Sequence, residues 1–264
     1  MNQEYLEFVK TLRPIDDIFM KVIFNDQHCI ELLFNIIFEE DISITEWHIQ
    51  DEYRNLHGRT VIMDIVASTE NGNIIDVEME RSLKNASPLR ARFHASILDS
   101  SLSYVNEKWE KLPDIYVIFI CEKDVLETNR LKNHIQRYGE DGEAFEDKVH
   151  IIDMNANKED ETPLGKLMHD LRCENHEDMY DEVLKERVRY FKQKEGKKIM
   201  CDMMEKLEKR GEMKSLIQIL LKKFPGMNFE WVKECNEKQI EKIQDHILMN
   251  MSYEEFYKLV LHDK

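Results

Sequence analysis

The order of apolar and polar positions divides the chain at about residue 160. Before it, short apolar runs of strand type alternate with helical periods; from Thr162 onward the pattern is helical throughout. Residues 14–24, PIDDIFMKVIF, predict a helix opened by Pro14 and the Asp16-Asp17 pair, with Ile18, Phe19, Val22 and Ile23 at helical spacing. A second helix is expected over Cys29 to Glu39, with Asn35 as a hydrogen-bonded amide in its apolar face, then a strand near Ile44 to Gln50. Val61 to Ala67 is apolar except at Asp64 and predicts a strand covered on both faces. Asn71-Gly72 marks a turn, and Asn73 to Glu80 alternates, with Ile75, Val77 and Met79 on one face and Asp76, Glu78 and Glu80 on the other. The pair reads as a β-hairpin.

Ser87-Pro88 then supplies the cap and first position of a long helix, whose apolar stripe is predicted to be Leu89, Phe93 and Ile97, continued by Leu98, Leu102, Val105 and Trp109. Ile115 to Cys121 and Val149 to Met154 predict buried strands, and the polar span between them, with Gly139 and Gly142, a loop with a short helix. Further helices are expected from Pro163 through Leu171, over Asp178 to Tyr190, over Lys197 to Lys209, and over Met213 to Phe224, stopped by Pro225-Gly226. The last begins at a capping box, Ser252 to Glu255. The expectation is an α/β fold, a small mixed β-sheet flanked by helices over 1–175, followed by an α-helical C-terminal region over 176–264.

With 264 residues and 42% hydrophobic content, one substantial core and a smaller appendage are within reach. Nothing near the N-terminus has the pattern of a signal peptide, and no run approaches the roughly 20 apolar residues of a membrane span. A cytoplasmic protein with no membrane partner is the expectation. Cys29, Cys121, Cys173, Cys201 and Cys235 are scattered without a CxxC pair, which argues against a zinc site and a disulfide framework.

The net charge of −16 disfavours nucleic-acid binding by the molecule as a whole, but its distribution is uneven. Glu140 to Glu161 is dominated by acids, whereas Arg81 to Leu98 carries Arg81, Lys84, Arg90 and Arg92 and no acid. That basic stretch directly follows the acidic strand.

Asp64 is the residue that a purely structural reading explains least. An ionised carboxylate amid apolar neighbours costs several kcal/mol, in order-of-magnitude terms, unless a cation or donors satisfy it. Strands lie about 4.8 Å apart and same-face neighbours about 6.5–7 Å, so Asp64, Glu78 and Glu80 can converge on one ion. Hard oxygen ligands suit Mg²⁺ or Mn²⁺. The plainer alternative is a hairpin with one solvated acidic face. Arg90 and Arg92 stand in the first turn of the following helix, where the macrodipole disfavours cations and free N–H groups favour a phosphate. His94, one turn after Arg90, reads equally as a surface histidine or as a substrate contact.

The segments RPIDDIFMKVIF, MDIVAS, IIDVEMER, LRARFHASILD, LPDIYVIFICEKD and PLGKLMHDLRCENHEDMY occur in order over roughly the first 190 residues. Together they resemble the recombination-promoting nuclease and transposase family, a bacterial PD-(D/E)xK group. The resemblance implies a restriction-endonuclease-like core and a Mg²⁺-dependent (or Mn²⁺-dependent) DNA endonuclease, with metal on Asp64 and Glu78. It implies phosphate contacts at Arg81, Arg90, Arg92 and His94, DNA as partner, and a homodimer as the assembly that would cut both strands. The position two after the second acid is usually Gln in the family and Lys in the superfamily; here it is Glu80. A glutamate can only accept hydrogen bonds when ionised, so Glu80 is either a third ligand or general base, or the site is weakened. The rival readings are a cleavage-deficient DNA-binding or protein-interaction module acting through the helical tail, and a structural α/β protein with no ligand.

Overall fold

The computed structural model of the protein describes residues 3–54, 58–82, 86–103, 108–249 and 251–261. Two compact units divide the chain, one formed by Leu6–Lys197 and the other by Lys198–Lys264 with Met1–Tyr5. The expected boundary at residue 175 lies inside the first.

That unit begins within α1 (Gln3–Thr11) and continues with α2 (Asp17–Ile23) and α3 (Gln27–Phe38). Asp26 caps α3 by accepting from the His28 and Cys29 N–H groups, and Asn35 Oδ1 accepts from Ile42 N–H at 2.6 Å, the role expected of that amide. The sheet comprises β1 (Ile44–Tyr53), β2 (Val61–Thr69), β3 (Ile74–Glu80), β4 (Ile115–Cys121), β5 (Lys132–Ile135) and β6 (Val149–Asn155), in the order β1-β2-β3-β4-β6-β5. β1, β2 and β3 form an antiparallel meander turned at Gly72, whose φ of +83° suits glycine. β3, β4 and β6 are parallel, and β5 closes the far edge antiparallel to β6. The parallel β3–β4 pair requires a crossover, which α4 (Pro88–Leu102) supplies. α5 (Pro163–Arg172) and α6 (Glu182–Lys192) complete the unit.

Row by row, β3 sets Asp76 beside Val117, Glu78 beside Phe119 and Glu80 beside Cys121. Val117, Phe119 and Cys121 are buried in one cluster with Ala91, Ala95 and Leu98 of α4. The face of β4 that gives α4 an apolar floor therefore continues on β3 as three carboxylates. On the opposite face, Phe38 of α3 meets Tyr116 edge to face, with ring centroids 4.9 Å apart. Every residue of β3 is buried, so the acidic face of the hairpin is not solvated.

Several expectations change in detail. The span between the two buried strands holds the short strand β5 and an isolated bridge, Tyr138 to Ala144, because the edge of β6 otherwise leaves main-chain groups unpaired. The predicted α4 stripe holds in part: Ile97 and Leu98 are buried and Phe93 and Leu102 pack against the same cluster, but its ends do not. Leu89 is 66% exposed and Trp109 79% exposed, in a separate 3-10 turn, while the buried face is Ala91, His94, Ala95, Ile97 and Leu98; Val105 lies outside the described residues.

In the second unit the helices predicted on either side of residue 211 are one, α7 (Lys194–Lys223). A single internal glycine costs a helix only about 1 kcal/mol, which is too little to break it. α8 (Glu237–His246) is an element the apolar pattern did not reveal, and α9 (Tyr253–Leu261) starts at the expected box, with Ser252 Oγ accepting from Glu255 N–H and Glu255 Oε2 accepting from Ser252 N–H. Leu220, Phe229, Val232, Ile243, Phe256 and Val260 form this unit's own core.

Candidate metal and phosphate site

β2 and β3 part company at the acids. Ile65 pairs with Val77 in the ladder, and one step further the side chains take over the main-chain donors. Asp64 N–H donates to Glu78 Oε1 at 2.9 Å, and Met79 N–H donates to Asp64 Oδ2 at 3.0 Å. Each carboxylate is thus held by the other acid's strand, and the two are brought together across the strand gap.

α4 closes over them. Ser87 caps the helix, its Oγ accepting from Arg90 N–H at 3.2 Å, and Pro88 fixes the first turn. This places Arg90 one turn before His94, both facing β3. The Arg90 guanidinium bridges Glu78 Oε2 and Glu80 Oε1 and lies 5.5 Å from the Phe119 ring centroid. Arg90 Nε also donates to His94 Nε2 at 3.2 Å, which leaves the His94 proton on Nδ1, 2.8 Å from Asp76 Oδ2. His94 is fully buried, so neither the surface reading nor a direct outward contact describes it here.

The structure therefore gathers Asp64, Glu78, Glu80, Arg90 and His94, and adds Asp76. It does not bring in the other two arginines. Arg81 pairs with Asp16 at 2.9 Å and Glu122 at 3.2 Å, in a network completed by Arg13, and Arg92 is exposed on the outer side of α4. The residues that the apolar pattern missed are Gln50, whose Nε2 donates to Asp17 Oδ1 at 2.8 Å and to Asp64 Oδ1 at 3.3 Å, and Asp17 itself. The only signal was that the predicted strand ended at Gln50, where the alternation of β1 falters.

Burial dominates the electrostatics. It raises the Asp64 carboxyl to about 6, opposed by the Met79 N–H and reinforced by the charge of Asp17. Burial and then the charges of Asp76 and Asp64 raise Glu78 to about 9, against the pull of Arg90 and His94. Asp76 is pushed well up by burial, and burial pulls His94 down. One guanidinium does not neutralise this many acids.

The carboxylates of the site are the hard oxygen donors that suit a divalent cation. The close cluster, with ligand-type atoms within 4.8 Å of one another, is Asp76, Glu78 and His94 rather than the expected Asp64, Glu78 and Glu80; both His94 nitrogens are engaged by Arg90 and Asp76, while Asp76 Oδ1 is buried with no hydrogen-bond partner. Such an orphaned oxygen is what a polar site short of one positive group leaves behind. Elsewhere, His169, Asp170 and Cys173 also cluster, but Asp170 accepts from Tyr180 N–H at 2.9 Å and Asp181 N–H at 2.7 Å, a structural task that ties the chain after α5.

A mixed sheet with two acids on adjacent strands, crossed by a helix carrying an arginine and a histidine, defines a protein of nuclease architecture. Residues 15–188 match the family model for PD-(D/E)XK nuclease family transposases, and the chain belongs to that family. No curated protein and no solved structure matches it.

Proposed function

We propose that this protein is a divalent-metal-dependent DNA endonuclease that hydrolyses phosphodiester bonds in the service of recombination or a mobile element. The observation that carries the reading is the reciprocal grip of Asp64 and Glu78, which holds two carboxylates face to face where their strands separate. In this reading Asp64 and Glu78 hold Mg²⁺ or Mn²⁺, with Glu80 beside them as a further ligand or as the group that accepts a proton from water. The ion, when bound, supplies Lewis-acid polarisation of the phosphoryl oxygens and activation of water. Arg90 bridges Glu78 and Glu80, whose oxygens would also hold the ion, and its planar fork would suit a phosphate oxygen beside it. His94, held between Asp76 and Arg90, fixes the orientation of that arginine. Arg81 and Arg92 lie further out, where a DNA backbone passing the mouth of the site would meet them.

A specific feature favours the second reading, a DNA-binding or protein-interaction module that has lost cleavage. Glu80 carries a carboxyl where the resemblance implies Gln in the family and Lys in the wider superfamily, and Arg90 is bound to both Glu78 and Glu80. A plasmid-nicking assay with Mg²⁺ and with Mn²⁺, on the parent and Asp64→Asn, decides between them. Metal-dependent nicking by the parent that is lost in the variant supports the nuclease; no nicking by the parent with either metal supports the module. Equal nicking by both proteins would place the activity outside this site.

A further inference from the structure

Among the described residues, five other than glycine have φ between +50° and +60°: Glu39, Gln50, Glu127, Asn129 and Lys148. Glu39 ends a helix, Glu127 and Asn129 lie in a loop, and Lys148 precedes β6. Gln50 alone of these lies inside a strand, where the left-handed conformation costs roughly 1–2 kcal/mol for an L-residue and interrupts the pairing. The β1–β2 ladder runs through Ile49–Ile65 and resumes at Asp51–Met63, omitting the Gln50–Asp64 step between. The strand takes its left-handed residue, and loses its pairing step, opposite the partly buried aspartate of its neighbour.

The bend has a use. It turns the Gln50 side chain so that its two amide hydrogens reach two carboxylates, Asp17 Oδ1 at 2.8 Å and Asp64 Oδ1 at 3.3 Å. Asp64 Oδ2 already accepts from Met79 N–H. With Gln50 on the other oxygen, both ends of the Asp64 carboxylate are fixed, one by β3 and one by β1. Asp17, on α2, gives the amide a firm second anchor and is itself paired with Lys21 at 2.9 Å. An uncharged donor is the suitable choice here. A lysine would bring a second cation to compete with the metal, and a carboxylate would add repulsion to an already acid-rich site.

Resting on the proposed function, we propose that Gln50 is a positioning residue: its amide clamps the metal-facing Asp64 carboxylate to α2, and the strained backbone at residue 50 is retained to aim it. The structural alternative is that the bend only accommodates strand twist and the amide contact is incidental. The two separate in Gln50→Gly and Gln50→Asn. Glycine relieves the strain and removes the amide; asparagine tolerates the left-handed conformation and keeps an amide one methylene too short to reach both acids.

The test is Mn²⁺ binding, by titration calorimetry, together with thermal unfolding of the metal-free protein. Outer-shell groups of this kind are worth about 10- to 100-fold in metal affinity. Both variants are expected to melt at or above the parent temperature and to bind Mn²⁺ at least tenfold more weakly, while Asp64→Asn abolishes binding. Variants that bind as tightly as the parent overturn the proposal and leave the site reading standing. A parent that binds no Mn²⁺, or binds it equally after Asp64→Asn, overturns the site reading and this proposal with it.

Discussion

At the scale of single residues, burial makes Asp64 and Glu78 hold their protons to higher pH than free carboxyls do. Asp64 and Glu78 bind their protons more tightly folded than unfolded, since burial raises both. The stability that follows from this is complete below about pH 4 and is lost as pH rises, through about 6 for Asp64 and about 9 for Glu78. Asparagine imitates the protonated acid at any pH. Asp64→Asn is therefore expected to match the parent in stability below about pH 4, to gain on it as pH rises through about 6, and to keep a lead of about 3 kcal/mol above that in metal-free buffer. A difference that stays flat with pH, measured by calorimetry with chelator present, would show that Asp64 is not desolvated in the free protein. The acids themselves were legible in the sequence, because a lone carboxylate in an apolar run is conspicuous. Gln50 was not, because the sign of φ leaves no mark in a hydropathy pattern.

Among the elements, α4 determines what the acids can do, and it was the element read least well. Periodicity assigned its buried face to Leu89, Phe93 and Ile97, on the premise that a helix buries what is apolar. In the fold, the face turned to β3 carries Arg90 and His94, since carboxylates on a buried strand need donors more than the helix needs its leucine covered. The hairpin and the caps were recoverable because each depends on local signals such as Asn71-Gly72, Ser87-Pro88 and Ser252 to Glu255. Contacts between α4 and β3 are not local, and no spacing rule encodes them. The consequence is measurable. Arg90→Ala leaves the Glu78 and Glu80 carboxyls without their shared donor and is expected to cost about 1–3 kcal/mol in metal-free buffer at pH 8. Because a divalent cation substitutes for the missing charge, Mg²⁺ should raise the melting temperature of this variant more than that of the parent. Equal Mg²⁺ shifts in the two proteins would mean that arginine and metal do not share the same oxygens. Arg90→Lys keeps the charge yet cannot fork between two carboxylates, so its cost should fall between the two.

For the whole molecule, two separate cores predict two separable stabilities. The unit of Leu6–Lys197 is organised by the sheet and its helices, whereas the unit of Lys198–Lys264 buries Leu220, Phe229, Val232, Ile243, Phe256 and Val260 against one another. Among the described residues no helix is long and apolar enough to cross a membrane. Leu220 is fully buried at its centre. Truncating it to alanine removes the side chain's burial and leaves a cavity, about 2–5 kcal/mol together, which is a large fraction of what a unit of this size can hold. Calorimetry of the full chain should therefore show Leu220→Ala lowering one transition while the other stays in place. On the proposed function Mg²⁺ supplies the complementary label, since its proposed ligands Asp64 and Glu78 belong to the unit Leu6–Lys197 and a ligand stabilises what it binds. The transition that Mg²⁺ raises should be the one that Leu220→Ala leaves untouched. If a single transition responds to both, the two units unfold as one, and the helical region contributes directly to the stability of the site.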